Sequence, residues 1–98
     1  MPNAQIDKEE LIEKMAENLP MLRTKLGLTQ EEMASMIGVS RHTVISMENQ
    51  KRPMTWNTFL SLILIFSYDH DTKLLMRALG IFTVELEDFL VPKKKKYR

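Results

Sequence analysis

The sequence predicts an all-α domain of five or six helices. Three observations carry that prediction. Apolar residues recur at helical spacing rather than in strand-like alternation. Glycine is scarce, 3 in 98 residues. And Asp, Thr or Ser stands repeatedly just ahead of a helical run, where a side-chain oxygen can accept from the free amides of a helix start.

The elements follow in order. Leu11, Met15, Leu19, Leu22 and Leu26 recur at steps of 4, 4, 3 and 4, one stripe of a long amphipathic helix. Asp7, with Glu10 three residues on, is its start. Pro20 lies inside the stripe. It removes the amide that would bond Ala16 and crowds that carbonyl, so a kink or break is expected near Glu17–Leu19. Gly27 ends the helix. Thr29 and Glu32 form a capping box that opens a second helix, running to Ile37. Gly38 supplies the positive φ of a tight turn. Ser40 caps a third helix, which ends near Asn49–Gln50, before Lys51-Arg52-Pro53. Thr55 caps a fourth, Trp56–Ser67, with Trp56 read as a core plug. A fifth spans about Thr72–Leu79 and stops at Gly80, and a sixth about Val84–Val91, stopping before Pro92. KKKKYR is a solvated basic tail.

This length suits one domain, and a chain of this size buries about 60–70% of its extended surface, enough for a modest core. With no cysteine, neither disulfides nor thiolate metal sites are available. No segment has the order of a signal peptide. FLSLILIF, Phe59–Phe66, falls far short of the roughly 20 residues that span a bilayer. The expectation is a cytoplasmic protein with no membrane association. Net charge is +1 but unevenly placed: −3 over residues 1–20, +2 over 21–58, −3 over 59–91 and +5 over 92–98. A polyanion responds to the local positive excess around residues 41–52 rather than to the total.

Residues 30–49 carry the functional signal. Two short helices crossing closely need a small residue in the first, and Ala34 is there. The turn needs positive φ, and Gly38 is there. The inner faces need apolar contacts, which Met33, Ile37, Val39, Val44 and Met47 supply. This is the logic of a helix-turn-helix. On the third helix Val44 and Met47 define the inner face. His42 and Asn49 lie opposite, with Ile45 and Ser46 beside them, Arg41 at one edge and Thr43 near the inner border. A recognition helix places such residues against base edges in the major groove. Arginine bidentate to guanine is the commonest specific contact, and Ile45 would suit a thymine methyl. Ser40, at the helix start, belongs to the same edge. Asn49, Lys51 and Arg52 come at and after the helix end, where phosphate lies, and Gln30 could hold phosphate at the start of the second helix.

The stretch LPMLRTKLGLTQEEMASMIGVSRHTVISMENQKR resembles the Cro/repressor-type, or XRE-type, family of transcriptional regulators. Its most telling pieces are LR-x3-GLTQEE-x-A, IGVSR-x-TV and ME-N-x-KR-P, within about Leu19–Phe66. The resemblance implies a lambda-repressor-like five-helix DNA-binding domain, to which this chain adds a C-terminal helix. It implies a homodimer on a two-fold operator of double-stranded DNA, in a bacterium or phage. It also implies a structural ion pair between Arg23 and Glu48, and DNA contacts at Gln30, Arg41, His42, Ser46, Asn49 and Lys51. Two departures stand out. The family usually has glycine where this chain has Gln50, so either Asn49 or Gln50 must take the left-handed conformation. And the fourth helix is apolar nearly all round through Ile63, Leu64, Ile65 and Phe66. It needs cover on both sides, which the fifth and sixth helices can provide.

Plainer readings stand beside these. Residues 30–49 could be a helical hairpin in a bundle, though the caps, the Ala34/Gly38 placement and the basic rim weigh against it. His42 is either a base contact or a solvated histidine, and Ile45 could touch a protein instead. Asp69-His70-Asp71 cannot all point at one ion, so it reads as a loop with one helix cap rather than a metal site. No acid, base and nucleophile constellation suggests an enzyme, and no cofactor is implied. The organisation expected is an N-terminal helical extension (1–17), a helix-turn-helix core (18–67), dimerising C-terminal helices (68–91) and a basic tail (92–98). The function expected is a sequence-specific DNA-binding repressor. The alternative is an antitoxin-like or other protein-interaction module whose apolar C-terminal helices bind a second protein.

Overall fold

The computed structural model describes residues 5–92. Over them the chain is all helical: α1 (Lys8–Lys25), α2 (Gln30–Ile37), α3 (Arg41–Glu48), α4 (Trp56–Ser67), α5 (His70–Ala78) and α6 (Val84–Leu90). The basic tail from Lys93 onward lies outside the described residues. Each helix starts on a side-chain cap. Asp7, Thr29, Ser40, Thr55, Asp69 and Thr83 each accept a backbone N–H three residues on. The capping box at α2 is complete. Glu32 N–H donates to Thr29 Oγ1 at 3.0 Å, and Thr29 N–H donates to Glu32 Oε1 at 2.8 Å.

One core joins these helices. Leu11, Met15, Leu19 and Leu22 of α1 pack with Met33 and Ala34 of α2, Val44 and Met47 of α3, and Phe59, Leu62, Ile63 and Phe66 of α4. Met76, Ile81, Phe82 and Leu86 extend it through α5 and α6. Thr72 is the buried polar residue among the described ones, and its hydroxyl donates to the Phe66 carbonyl at 2.6 Å, tying α5 to the end of α4.

Three details differ from the sequence reading. First, α1 runs unbroken through Pro20. Losing one backbone bond to proline costs about 3 kcal/mol. Each buried leucine or methionine of the stripe contributes about 1.5–3 kcal/mol, and four of them are buried. Packing wins. Side chains add local bonds: Asn18 Nδ2 donates to the Lys14 carbonyl at 2.8 Å, and Thr24 Oγ1 to that of Pro20 at 2.7 Å. Second, α5 begins at His70, because Asp69 accepts from Thr72 and draws His70 and Asp71 into the first turn. Third, Trp56 is half-buried rather than a core plug. It stacks on Phe59 with centroids 4.8 Å apart and meets Phe89 edge-on at 6.4 Å, while Lys8 Nζ lies 5.0 Å from its ring centre.

The cover over α4 is partial. Phe59, Leu62, Ile63 and Phe66 are buried, whereas Leu64 is 58% exposed.

Candidate nucleic-acid interface

The turn between α2 and α3 sets their crossing. Gly38 takes φ 78°, and the amides of Gly38 and Val39 both donate to the Ala34 carbonyl, at 2.9 and 3.0 Å. A carbonyl serving two donors beside a small side chain lets the helices approach closely. Ser40 then starts α3: its hydroxyl accepts from Thr43 N–H at 3.1 Å and bonds Thr43 Oγ1 at 3.0 Å. Val44 and Met47 turn inward and are buried, which fixes the rotation of α3 about its axis.

That rotation decides the outer face. Arg41, His42 and Asn49 are exposed, with Ile45 and Ser46 half-buried. Nothing among the described residues holds the Arg41 guanidinium in an ion pair. Arginine, imidazole, hydroxyl and amide thus share one exposed side of a short helix, whose opposite side is locked into the core.

The chain leaves α3 through a tight turn. Gln50 N–H donates to the Met47 carbonyl at 3.0 Å and Lys51 N–H to the Ser46 carbonyl at 2.8 Å, the two bonds of a Schellman motif. The left-handed residue is Gln50, at φ 57°, while Asn49 stays at φ −86°. Gln50 is the one non-glycine residue with positive φ among those described, so it carries the strain that glycine would avoid. The turn brings Arg52 back over α3, where its Nη1 donates to Thr43 Oγ1 at 3.1 Å. Ser40, Thr43 and Arg52 form one hydrogen-bonded chain beside the exposed Arg41 and His42.

Beneath this face lies a polar network that ties α1, α2 and α3 together. Arg23 Nε donates to Glu48 Oε2 at 2.6 Å, and Arg23 Nη2 to Glu48 Oε1 at 3.3 Å. Arg23 Nη1 donates to the Leu28 carbonyl at 2.8 Å. The Glu48 side chain is 5% exposed and that of Arg23 16%. Gln30 Nε2 donates to Glu48 Oε1 at 2.9 Å. Gln30 is therefore not a free arm at the start of α2. Its amide is anchored from the protein side, and one N–H of the two is not used in that bond. The Gln30–Glu48 and Arg52–Thr43 bonds join residues 18 and 9 positions apart, and no local spacing rule announces either.

These residues fall within a recognised unit. The family model described as Helix-turn-helix matches residues 21–55, from the last turns of α1 to the cap of α4. A protein of Methanocaldococcus jannaschii named as an uncharacterised HTH-type transcriptional regulator is 31% identical over 77 residues, covering 79% of this chain and 92% of that protein. The chain belongs to this helix-turn-helix family of transcriptional regulators. No solved structure matches. In this family member the unit is complete in geometry: two capped helices, a left-handed glycine turn, an anchored inner face and a polar outer one. No described helix is long and apolar enough to cross a membrane.

Proposed function

We propose that the protein is a sequence-specific regulator of double-stranded DNA, a homodimeric cytoplasmic repressor that sets α3 of each subunit in a major groove. The observation that carries this reading is the outer face of α3, where Arg41, His42 and Asn49 are exposed on a helix whose other side is fully anchored. Arg41, His42, Ile45 and Ser46 are the base-reading positions. Asn49, Lys51, Arg52 and the remaining N–H of Gln30 hold phosphate, which fixes the register of the helix. Ser40 and Thr43 orient that edge, since their hydroxyls are engaged with each other and with Arg52.

A dimer is supported by apolar surface outside the DNA face. A groove of about 430 Å³ lies between the end of α1, α2 and α4, lined by Leu26, Leu28, Met36, Leu64, Ile65 and Tyr68. Within that groove Tyr68 is 84% exposed, Leu64 58% and Met36 54%. Exposed apolar residues gathered in this way mark an association surface. Two copies joined there would read half-sites about 34 Å apart. The second reading, a partner protein of different sequence, would use the C-terminal helices, where Leu74 on α5 and Val84 and Phe89 on α6 are exposed.

Fluorescence anisotropy on the DNA upstream of the protein's own gene, against scrambled DNA at two salt concentrations, tests the proposal. Preference for the upstream fragment that survives higher salt supports it. Absence of binding at either salt overturns it. Light scattering on the purified chain separates the readings of the apolar surface: a stable dimer favours self-association, a monomer the missing partner.

A further inference from the structure

A groove of about 540 Å³ opens beside the loop that follows α3. One wall is the first half of α1, with Glu9, Ile12 and Glu13, and the other is Lys51, Arg52 and Met54. Two carboxylates therefore face the two cations assigned to the DNA backbone. All four of these charged residues are exposed. Among the described residues neither Lys51 nor Arg52 is paired with a carboxylate, since the ion pairs are Lys14–Glu10, Arg23–Glu48 and Arg77–Glu87. Arg52 turns instead onto Thr43 of α3.

Helix formation does not account for both acids. Glu9 lies in the first turn of α1, where the macrodipole favours a carboxylate, but Glu13 lies one turn further, where that effect has faded. Glu10, between them in sequence, is engaged by Lys14 at 3.2 Å and does not line the groove. Charges that line one small groove interact over a range comparable to the Debye length, about 10 Å at 0.1 M salt. A phosphate seated on Lys51 and Arg52 would then feel the field of both carboxylates, only partly screened by salt.

We propose that Glu9 and Glu13 form an electronegative edge that weakens the hold of Lys51 and Arg52 on the DNA backbone. The inference rests on the DNA-binding reading. The phosphate term is independent of sequence and dominates non-specific binding. An acid edge on the phosphate-binding loop subtracts from that term and leaves the base-reading face of α3 untouched. The protein thereby releases non-specific DNA faster than its basic loop alone would allow.

The test compares the full chain with Glu9→Gln/Glu13→Gln by fluorescence anisotropy, on the upstream duplex and on a scrambled duplex, at 50 and 300 mM KCl. Coulomb repulsion at this range predicts an affinity gain of about fivefold on both duplexes at the lower salt, shrinking toward none at the higher. Glu13→Gln alone, which leaves the first turn of α1 intact, should give a gain of about twofold. Asp71→Asn/Glu85→Gln removes the same formal charge outside the groove and should change affinity less than the groove variant. If the wild type binds and the groove variant gains no more than this control, the inference is wrong while the DNA reading stands. If the wild type binds neither duplex at either salt, the DNA reading falls and takes the inference with it.

Discussion

Removing the Glu48 carboxylate should cost about 3–5 kcal/mol of folding stability. The magnitude follows from what is left behind. Glu48 accepts from Arg23 Nε at 2.6 Å, Arg23 Nη2 at 3.3 Å and Gln30 Nε2 at 2.9 Å. In Glu48→Ala the Arg23 guanidinium keeps the Leu28 carbonyl and loses its counter-charge, in a site where its side chain is 16% exposed. A domain of this size has about 5–15 kcal/mol in total, so the variant would spend a large share of it. At about 4–8 °C per kcal/mol, the melting temperature should fall by roughly 12–40 °C. Urea and thermal unfolding followed by Trp56 fluorescence and circular dichroism measure this. The double variant Arg23→Met/Glu48→Met removes both desolvated charges and should recover much of the loss. A cost below about 1 kcal/mol for Glu48→Ala would place the pair with ordinary surface bridges and refute the reasoning. So would a double variant as unstable as the sum of the singles.

The other expectations concern the turn and the reading face. Gln50→Gly should stabilise the fold by about 1 kcal/mol, because glycine takes φ 57° without the steric cost of a Cβ, and urea denaturation reads the gain. Arg41→Ala should cost about 1–3 kcal/mol of operator affinity and relax preference at one base pair, measured on a set of single-substitution duplexes. Lys51→Ala should weaken binding to every duplex alike and reduce the slope of log K against log salt by about 1.

Much of the fold was legible because its signals are local. Thr29 with Glu32, Ser40 and Thr55 mark helix starts through their own side chains, and the structure begins α2, α3 and α4 immediately after them. The bounds of α4, Trp56–Ser67, follow from such a cap and a continuous apolar run. The split of α3 into an anchored and a polar side was legible as well, since Val44 and Met47 set its angle and every other residue follows at about 100° steps. What was not legible depends on contacts between distant segments. Gln30 meets Glu48, and Arg52 folds back to Thr43, only once α1, α2 and α3 have packed. The half-burial of Trp56 likewise depends on Lys8 and Phe89 arriving from the two ends of the described chain.

Pro20 and Gln50 break local rules on either side of the helix-turn-helix unit, and both are tolerated for one reason. Each sits next to residues whose burial outweighs the local penalty. Pro20 lies between Leu19 and Leu22, both with no exposed surface, and Gln50 follows Met47, which is 2% exposed, by one helix end. At Pro20 the chain forgoes one backbone bond worth less than the packing it preserves. At Gln50 it accepts about 1–2 kcal/mol of backbone strain to close a turn that brings Arg52 back onto Thr43 of α3. The unit is thus held in place by its buried side, through the apolar stripe and the Arg23–Glu48–Gln30 network. On its exposed side Arg41 and His42 are in no ion pair among the described residues. That division should let Arg41 and His42 be substituted while the scaffold beneath them stays folded.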